Sequence, residues 1–233
     1  MKFNNFMKIL ATAILLCGSC SSETTSGTEP NPPTPTDPPK TYTDPEIVEM
    51  VQKDALKYFW DYAQSTSKLA RERYHTDNPG QDAHVVSTGG SGFGLMTILV
   101  GIKNGYVTRT DAVSRLSTAL NFLQNANRFH GAWPHWMDGN TGNVIPFSTK
   151  DNGGDLVETA FLAQGLICVR EYFKNSSDAT ELAISKKADD LWKGIEWNWY
   201  TQGQNVLYWH WSPNYNFDMN HQLRGFDETL ITY

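Results

Sequence analysis

The sequence predicts a mostly α-helical domain that follows an export signal and a short linker. Two observations carry this fold class: apolar residues recur at helical spacing in five separate stretches, and strand-like alternation is scarce. Of the 233 residues, 39% are hydrophobic and 19% are charged, which suits a globular protein with a sizeable core. With 25 acidic against 19 basic residues, the chain lacks the positive charge that a nucleic-acid partner requires.

The N-terminus has the pattern of a secretory signal. Lys2 and Lys8 precede a short apolar run that ends in the tetrapeptide Cys-Gly-Ser-Cys at Cys20. Small residues directly before a cysteine resemble the cleavage box of bacterial lipoproteins, so Cys20 is the predicted lipidated residue. An ordinary cleaved signal peptide is the alternative.

These features predict three segments. Residues 1–19 form the signal peptide, and residues 20–42 form a lipidated linker rich in Pro, Ser and Thr, too poor in apolar residues to fold alone. Residues 43–233 form the folded domain. We therefore expect an exported lipoprotein, anchored in the cell envelope on the periplasmic or surface side of the outer membrane.

The five helical stretches follow in order. The first begins at Asp44-Pro45, with proline at the first helical position, and the third begins at Thr108 or Thr110. The fourth is apolar around much of its circumference, which indicates burial on several sides. The predicted helices cover residues 44–64, 94–103, 108–123, 156–173 and 179–194, and the best strand candidate covers residues 206–211.

Three carboxylates lie at the start of the fourth helix. If that helix begins early, Asp151, Asp155 and Glu158 share one face. Alternatively, Asp155 is the N-cap, and Glu158, three residues later, completes a capping box. The two interpretations are compatible, because a capping carboxylate retains a second oxygen.

A second acidic pair, Asp227-Glu228, repeats this pattern near the end of the chain. Cleavage of a glycosidic bond requires two carboxyl groups on opposite sides of the bond. A pair from different helices, such as Glu158 and Glu228, would leave room for an attacking water molecule.

Aromatic residues accompany these acids. Gly131 and Pro134 prevent a regular helix, so Trp133, His135 and Trp136 are expected on a loop. Trp209 and Trp211 belong to the strand candidate and offer a similar surface. Such tryptophans either bind a ligand or pack the loop against the core.

Other motifs predict structure rather than chemistry. The glycine-rich stretch 88–94 lacks the spacing of a phosphate or dinucleotide loop, so it is interpreted as a tight turn that allows close helix packing. Residues 138–143 lack the final glutamate of a calcium loop and are interpreted as a turn. We expect neither a metal ion nor a cofactor.

Four motifs in order resemble a known family. Residues 69–75, 87–96, 129–136 and 151–164 look like the bacterial glucoamylase-like family, and within it the exported endo-β-1,2-glucanases of Bacteroidetes, glycoside hydrolase family 144. The resemblance implies an (α/α)6 toroid with its active site in the central cavity. It also implies an inverting cleavage of β-1,2-glucan that releases sophorooligosaccharides.

The resemblance assigns roles to matching residues. Asp151, Asp155 and Glu158 would form the first acidic cluster of the cavity, and Glu228 would be a further catalytic carboxylate. The sugar subsites would be lined by Arg73, Trp133, His135 and Trp136, to which the aromatic surface adds Trp209 and Trp211.

The alternatives are an exo-acting glucosidase of the glucoamylase type and a non-catalytic glycan-binding lipoprotein. We expect a monomer whose partners are a glucan and, through the lipid, a membrane. The chain stops where an apolar helix begins, at residues 227–233, and a complete toroid of the family is longer. It is therefore expected to be an N-terminal fragment, a half-toroid with negligible activity in isolation.

Overall fold

The computed structural model describes residues 40–226 and 228–232. The predictions made for the signal peptide, Cys20 and most of the linker lie outside the described residues. So does the prediction for Glu228, because only its backbone is described.

The described residues contain five α-helices, which confirms the predicted mostly helical class. Two short 3-10 helices, Trp199–Thr201 and Glu228–Thr232, follow them. Among the helices described, none combines the length and the apolar character needed to cross a membrane. The α-helices are α1 Asp44–Trp60, α2 Thr88–Lys103, α3 Arg109–Asn125, α4 Leu156–Phe173 and α5 Ala179–Lys193.

The starts of α3 and α4 were predicted correctly, and each carries a capping side chain. Thr108 accepts the backbone N–H of Asp111 at the start of α3, and Asp155 accepts that of Glu158 at the start of α4. Two other helix ends were predicted wrongly. Helix α1 ends at Trp60, before the predicted Gln64, and α2 begins at Thr88 rather than Gly94.

Helices α2 and α4 pack closely because glycines line their contact. A Cβ atom on Gly92 would lie 2.2 Å from the Phe161 carbonyl oxygen, and one on Gly165 would lie 2.4 Å from the Gly92 carbonyl oxygen. The close packing predicted for the glycine-rich stretch is therefore confirmed, but the stretch is the first turns of α2 and not a turn before it.

Short strands deliver the chain to the starts of these two helices. The first three, β1 Val85–Ser87, β2 Trp136–Asp138 and β3 Val144–Ile145, form an antiparallel sheet in that order. The other two, β4 Gly154–Asp155 and β5 His210–Trp211, pair with each other. Because β1 runs directly into α2, and β4 into α4, both helix starts are fixed by backbone pairing.

Candidate active site

The loop before β2 is held between the starts of α2 and α4. The backbone N–H of Thr88 donates to the His135 carbonyl oxygen at 3.1 Å, and that of Asp155 donates to the Trp133 carbonyl oxygen at 2.9 Å. The Trp133 N–H in turn donates to the Thr159 hydroxyl at 2.9 Å. These bonds place the His135 side chain where the two helix N-termini converge.

Asp155 is the centre of the site. Its carboxylate is fully buried, and one oxygen, Oδ1, accepts the Glu158 backbone N–H at 2.9 Å and the Trp209 indole N–H at 2.8 Å. The other oxygen, Oδ2, lies 3.0 Å from His135 Nδ1. The N-cap interpretation is confirmed, and Asp155 also joins the helix start to two aromatic side chains.

Asp151 and His210 complete a buried ionic cluster. The Oδ2 atom of Asp151 lies 3.5 Å from His135 Nδ1, and His210 Nε2 lies 3.6 Å from the Oδ2 atoms of both aspartates. Ligand atoms of His135, Asp151 and Asp155 lie within 4.8 Å of one another, a spacing that could hold a cation.

The two histidines respond differently to their burial. Burial, the largest effect on His135, lowers its pKa, but hydrogen bonding to Asp151 and Asp155 together outweighs burial and raises the pKa to about 10. For His210 burial dominates and lowers the pKa. His135 is therefore the imidazolium of the cluster at neutral pH, and His210 is a neutral neighbour.

The charge on His135 makes stability depend on pH. Its pKa rises from 6.5 to about 10 on folding, so its stabilising effect is complete below pH 6.5 and disappears as the pH approaches 10. We expect the stability difference between the wild type and His135→Gln to shrink between pH 6.5 and pH 9, by on the order of 1–3 kcal/mol once solvent screening of the partly exposed ring is included. Urea unfolding at several pH values measures this difference.

His84→Gln is the matched control, because it removes an exposed imidazole that lies outside the ionic cluster. The ring signals of His135, followed by NMR on the wild type, supply a second test that needs no variant. A midpoint near 6.5 for those signals would show that the imidazolium is not held by the two aspartates.

Glu158 reaches from α4 to the start of α2. Its Oε2 atom accepts the Gly89 backbone N–H at 2.8 Å and lies 3.5 Å from the Ser87 hydroxyl oxygen. It does not bond back to the Asp155 backbone, so the capping box is not completed. Burial, and after it the nearby Asp155 charge, raises the pKa of Glu158. His135 and the Gly89 N–H lower this pKa, but they do not cancel the rise.

An aromatic group borders the cluster on the loop side. The Phe147 ring stacks on His135 with centroids 4.1 Å apart, and Trp136 contacts Phe147 edge-on at 4.8 Å. Phe147 is 50% exposed, so part of its ring is open to solvent beside the cluster. Sequence reasoning missed Phe147, although its place after Pro146, shortly before Asp151, could have drawn attention to it.

Two residues predicted to line sugar subsites have other partners. Trp133 is fully buried, its indole N–H donates to the Leu123 carbonyl oxygen at 3.1 Å, and Arg128 lies over its ring. It has no surface to offer a sugar, so its place is in the core. Arg73 makes a two-pronged bond to Glu72, with its Nε atom 2.6 Å from Oε2.

Trp209 and Trp211, neighbours on the same short strand region, belong to different groups. Trp209 bonds to Asp155 and stacks on His210 and His221, so it is part of the cluster. Trp211 contacts His130 at 4.8 Å and Trp199 at 6.4 Å between ring centroids. The fold thus brings together five of the predicted site residues, with Trp136 beside them. These five are Asp151, Asp155, Glu158, His135 and Trp209.

The mostly helical fold is similar to that of glucoamylase-like α/α toroid proteins. Comparisons agree with this class, although no protein-family model matches the chain. The chain is 52% identical to the endo-β-1,2-glucanase of Chitinophaga pinensis, solved with sophorotriose and glucose, with a TM-score of 0.79 over 82% of this chain and 46% of that one. The solved relatives of this chain are (α/α)6 toroid proteins. The described part of this chain contains five α-helices.

Two further relatives come from Parabacteroides distasonis. An exo-β-1,2-glucooligosaccharide sophorohydrolase is 43% identical over 98% of this chain. The matched region is 30% of the length of that relative. The structure of a β-1,2-glucanase is 46% identical, with a TM-score of 0.77 over 82% of this chain and 27% of that one. The chain is a close homologue of Bacteroidetes β-1,2-glucanases, and it spans less than half the length of each of these relatives.

Proposed function

We propose that the protein containing this chain hydrolyses β-1,2-glucan. The observation that carries the proposal is the set of carboxylates at the start of α4, fixed by hydrogen bonds and bordered by the exposed ring of Phe147 and the half-buried ring of Trp136. The names of the relatives support the same substrate. The sequence resemblance further favours an inverting, endo-acting enzyme, and the Chitinophaga pinensis relative is named as an endo-acting one.

Among the described carboxyl groups, Glu158 is the best placed to exchange a proton with a substrate. Asp155 has no exposed surface and Asp151 is 3% exposed, and both are engaged with histidines. Glu158 is half-buried, and its pKa is raised toward neutral pH. A pKa nearer the working pH suits a group that exchanges a proton with a substrate. Asp151 and Asp155 would then orient the site rather than react.

A second carboxyl group is needed on the other side of the glycosidic bond. In an inverting enzyme it activates water and lies roughly 6.5–9.5 Å from the acid. Glu228 stays the predicted residue of this kind within the chain. His135, Trp136 and Phe147 supply the ring faces and polar edge on which a glucose unit could stack and be oriented.

The proposal is tested by reducing-sugar release from linear β-1,2-glucan, using the product of the reading frame that contains this chain. Activity on this glucan, with little on β-1,3-, β-1,4- or α-1,4-glucans, is the expected result. Early products of mixed length indicate endo action, and a single disaccharide product indicates exo action. Binding of the glucan without any release of reducing sugar would favour the non-catalytic alternative.

We further propose that the protein is a lipoprotein of the cell envelope, anchored through Cys20. The support is the sequence pattern before that cysteine. Radiolabelled palmitate should be incorporated into the wild type and not into Cys20→Ala, which should move to the soluble fraction. Equal labelling of the two proteins would contradict the proposed anchor.

A further inference from the structure

A second aromatic group lies beyond the carboxylate cluster, which it adjoins through Trp211, the residue of β5 that pairs with Gly154. Trp199 is 42% exposed, and its ring stacks on His130 with centroids 3.7 Å apart and 13° between the planes. Trp211 contacts both rings edge-on. Within the described part of the chain, no hydrogen bond, ion pair or ring contact joins Trp199 or His130 to Asp151, Asp155 or Glu158.

Backbone contacts hold this group rigidly. The His130 carbonyl oxygen accepts the Glu196 N–H at 3.1 Å, and the Trp199 N–H donates to the Glu196 carbonyl oxygen at 2.8 Å. The side chains of His130 and Glu196 are also paired, at 3.3 Å. His130 has a φ of 50°, a left-handed conformation that residues with a side chain seldom adopt and that concentrates at functional sites.

The exposed neighbours of Trp199 are polar. A surface cavity of about 610 Å³ is lined by residues 195–199, and a second of about 370 Å³ is lined by Asn198, Trp199, Gln202, Gly203 and Phe217. Trp199 and Asn198 therefore border both cavities. A rigid aromatic ring surrounded by amides and one carboxylate matches a sugar, which has an apolar C–H face and a rim of hydroxyl groups.

We propose that His130, Glu196, Asn198, Trp199 and Trp211, here called the Trp199 platform, form a second glucan-binding site outside the carboxylate cluster. The inference rests on the proposed function for the identity of the sugar. One glucose unit of a β-1,2-glucan chain stacks on Trp199, and its hydroxyl groups bond to Asn198 and Glu196. Because the rings are already held in place, binding costs little side-chain entropy.

Such a site would retain long chains near the enzyme without taking part in bond cleavage. The test uses affinity electrophoresis in gels that contain linear β-1,2-glucan, with every protein carrying Glu158→Gln so that the glucan is not consumed. Trp199→Ala is expected to weaken retention by about tenfold, the size of effect typical of a central aromatic contact. In a second assay the proteins keep Glu158. There Trp199→Ala should change kcat and KM for a short β-1,2-glucooligosaccharide by less than about twofold.

Tyr172→Ala is the matched control, since Tyr172 is 37% exposed and lies near the far end of α4. Asn198→Ala removes an amide and leaves the ring stack intact, so it tests the platform even if Trp199→Ala fails to fold. It should weaken retention by roughly threefold, a loss on the scale of one hydrogen bond.

Two results would overturn the inference. One is unchanged retention of both Trp199→Ala and Asn198→Ala, and the other is an equal loss of activity on short and long substrates, which would place Trp199 in the catalytic cleft. These failures differ from failure of the proposed function, in which the wild type itself neither binds nor cleaves the glucan.

Discussion

For the proposed β-1,2-glucan hydrolysis by the protein that contains this chain, Glu158→Gln is expected to lower kcat by at least about 100-fold, a loss of about 2.7 kcal/mol of transition-state stabilisation. Glutamine has the shape of glutamate, and its amide oxygen can still accept the Gly89 N–H that Glu158 accepts at 2.8 Å. It has neither a transferable proton nor a negative charge. The loss should therefore appear in kcat, with little change in stability.

Glu171→Gln is the control for this substitution. Glu171 lies on the same helix, near its other end, where it pairs with Arg170 and Lys174 at the surface. Its loss should leave kcat and KM unchanged. If Glu158→Gln retained more than a tenth of the wild-type kcat while its thermal unfolding matched the wild type, Glu158 would not be the proton-exchanging group.

Gly92→Ala is expected to lower the free energy of unfolding by about 2–4 kcal/mol. Alanine favours a helix over glycine by about 1 kcal/mol, so the substitution would stabilise an isolated helix. Here the new methyl group would lie 2.2 Å from the Phe161 carbonyl oxygen, which is backbone and cannot rotate away. Helices α2 and α4 must then separate along their contact.

Gly90→Ala tests whether position or composition matters. The atom nearest to a Cβ atom on Gly90 is the Ser87 hydroxyl oxygen at 3.2 Å, followed by the Ser87 and Ala70 side-chain carbons. Its stability should stay within about 1 kcal/mol of the wild type, since a short adjustment of one side chain suffices. Urea unfolding of the two variants side by side gives the comparison, and equal losses would refute the close-packing explanation.

These glycines also show why one helix start was predicted wrongly. Four glycines between Gly89 and Gly94 carry a helix-propensity cost that favours a turn in an isolated peptide. In the folded chain the same residues allow α4 to approach, and the packing gained with α4 compensates. The Ser87 side chain caps Gly90, a start signal present in the sequence but outweighed by the glycines.

Helix α4, in contrast, was predicted at both ends. Asp155 combines a capping side chain with a long apolar run behind it, so local and tertiary preferences agree. The same residues predicted the acidic cluster. What the sequence did not reveal is how the three carboxylates divide their contacts, with Asp155 saturated by hydrogen bonds and Glu158 turned toward α2.

The aromatic residues were the hardest to assign. Trp133, His135 and Trp136 lie within one short loop, yet Trp133 is in the core and Trp136 is half-buried beside Phe147. Direction along an irregular loop has no period, so sequence cannot separate buried rings from exposed ones. For the same reason Trp199 and Phe147, now the most exposed rings of the two aromatic groups, were not singled out.

The bond between Glu158 and Gly89 ties together two positions 69 residues apart. A Cβ atom at position 89 would lie 2.6 Å from Glu158 Oε2, so the carboxylate occupies space that any other residue at 89 would need. We therefore expect residue changes at these two positions to be coupled, because a side chain at 89 would require the Glu158 carboxylate to move from its place against the Gly89 N–H.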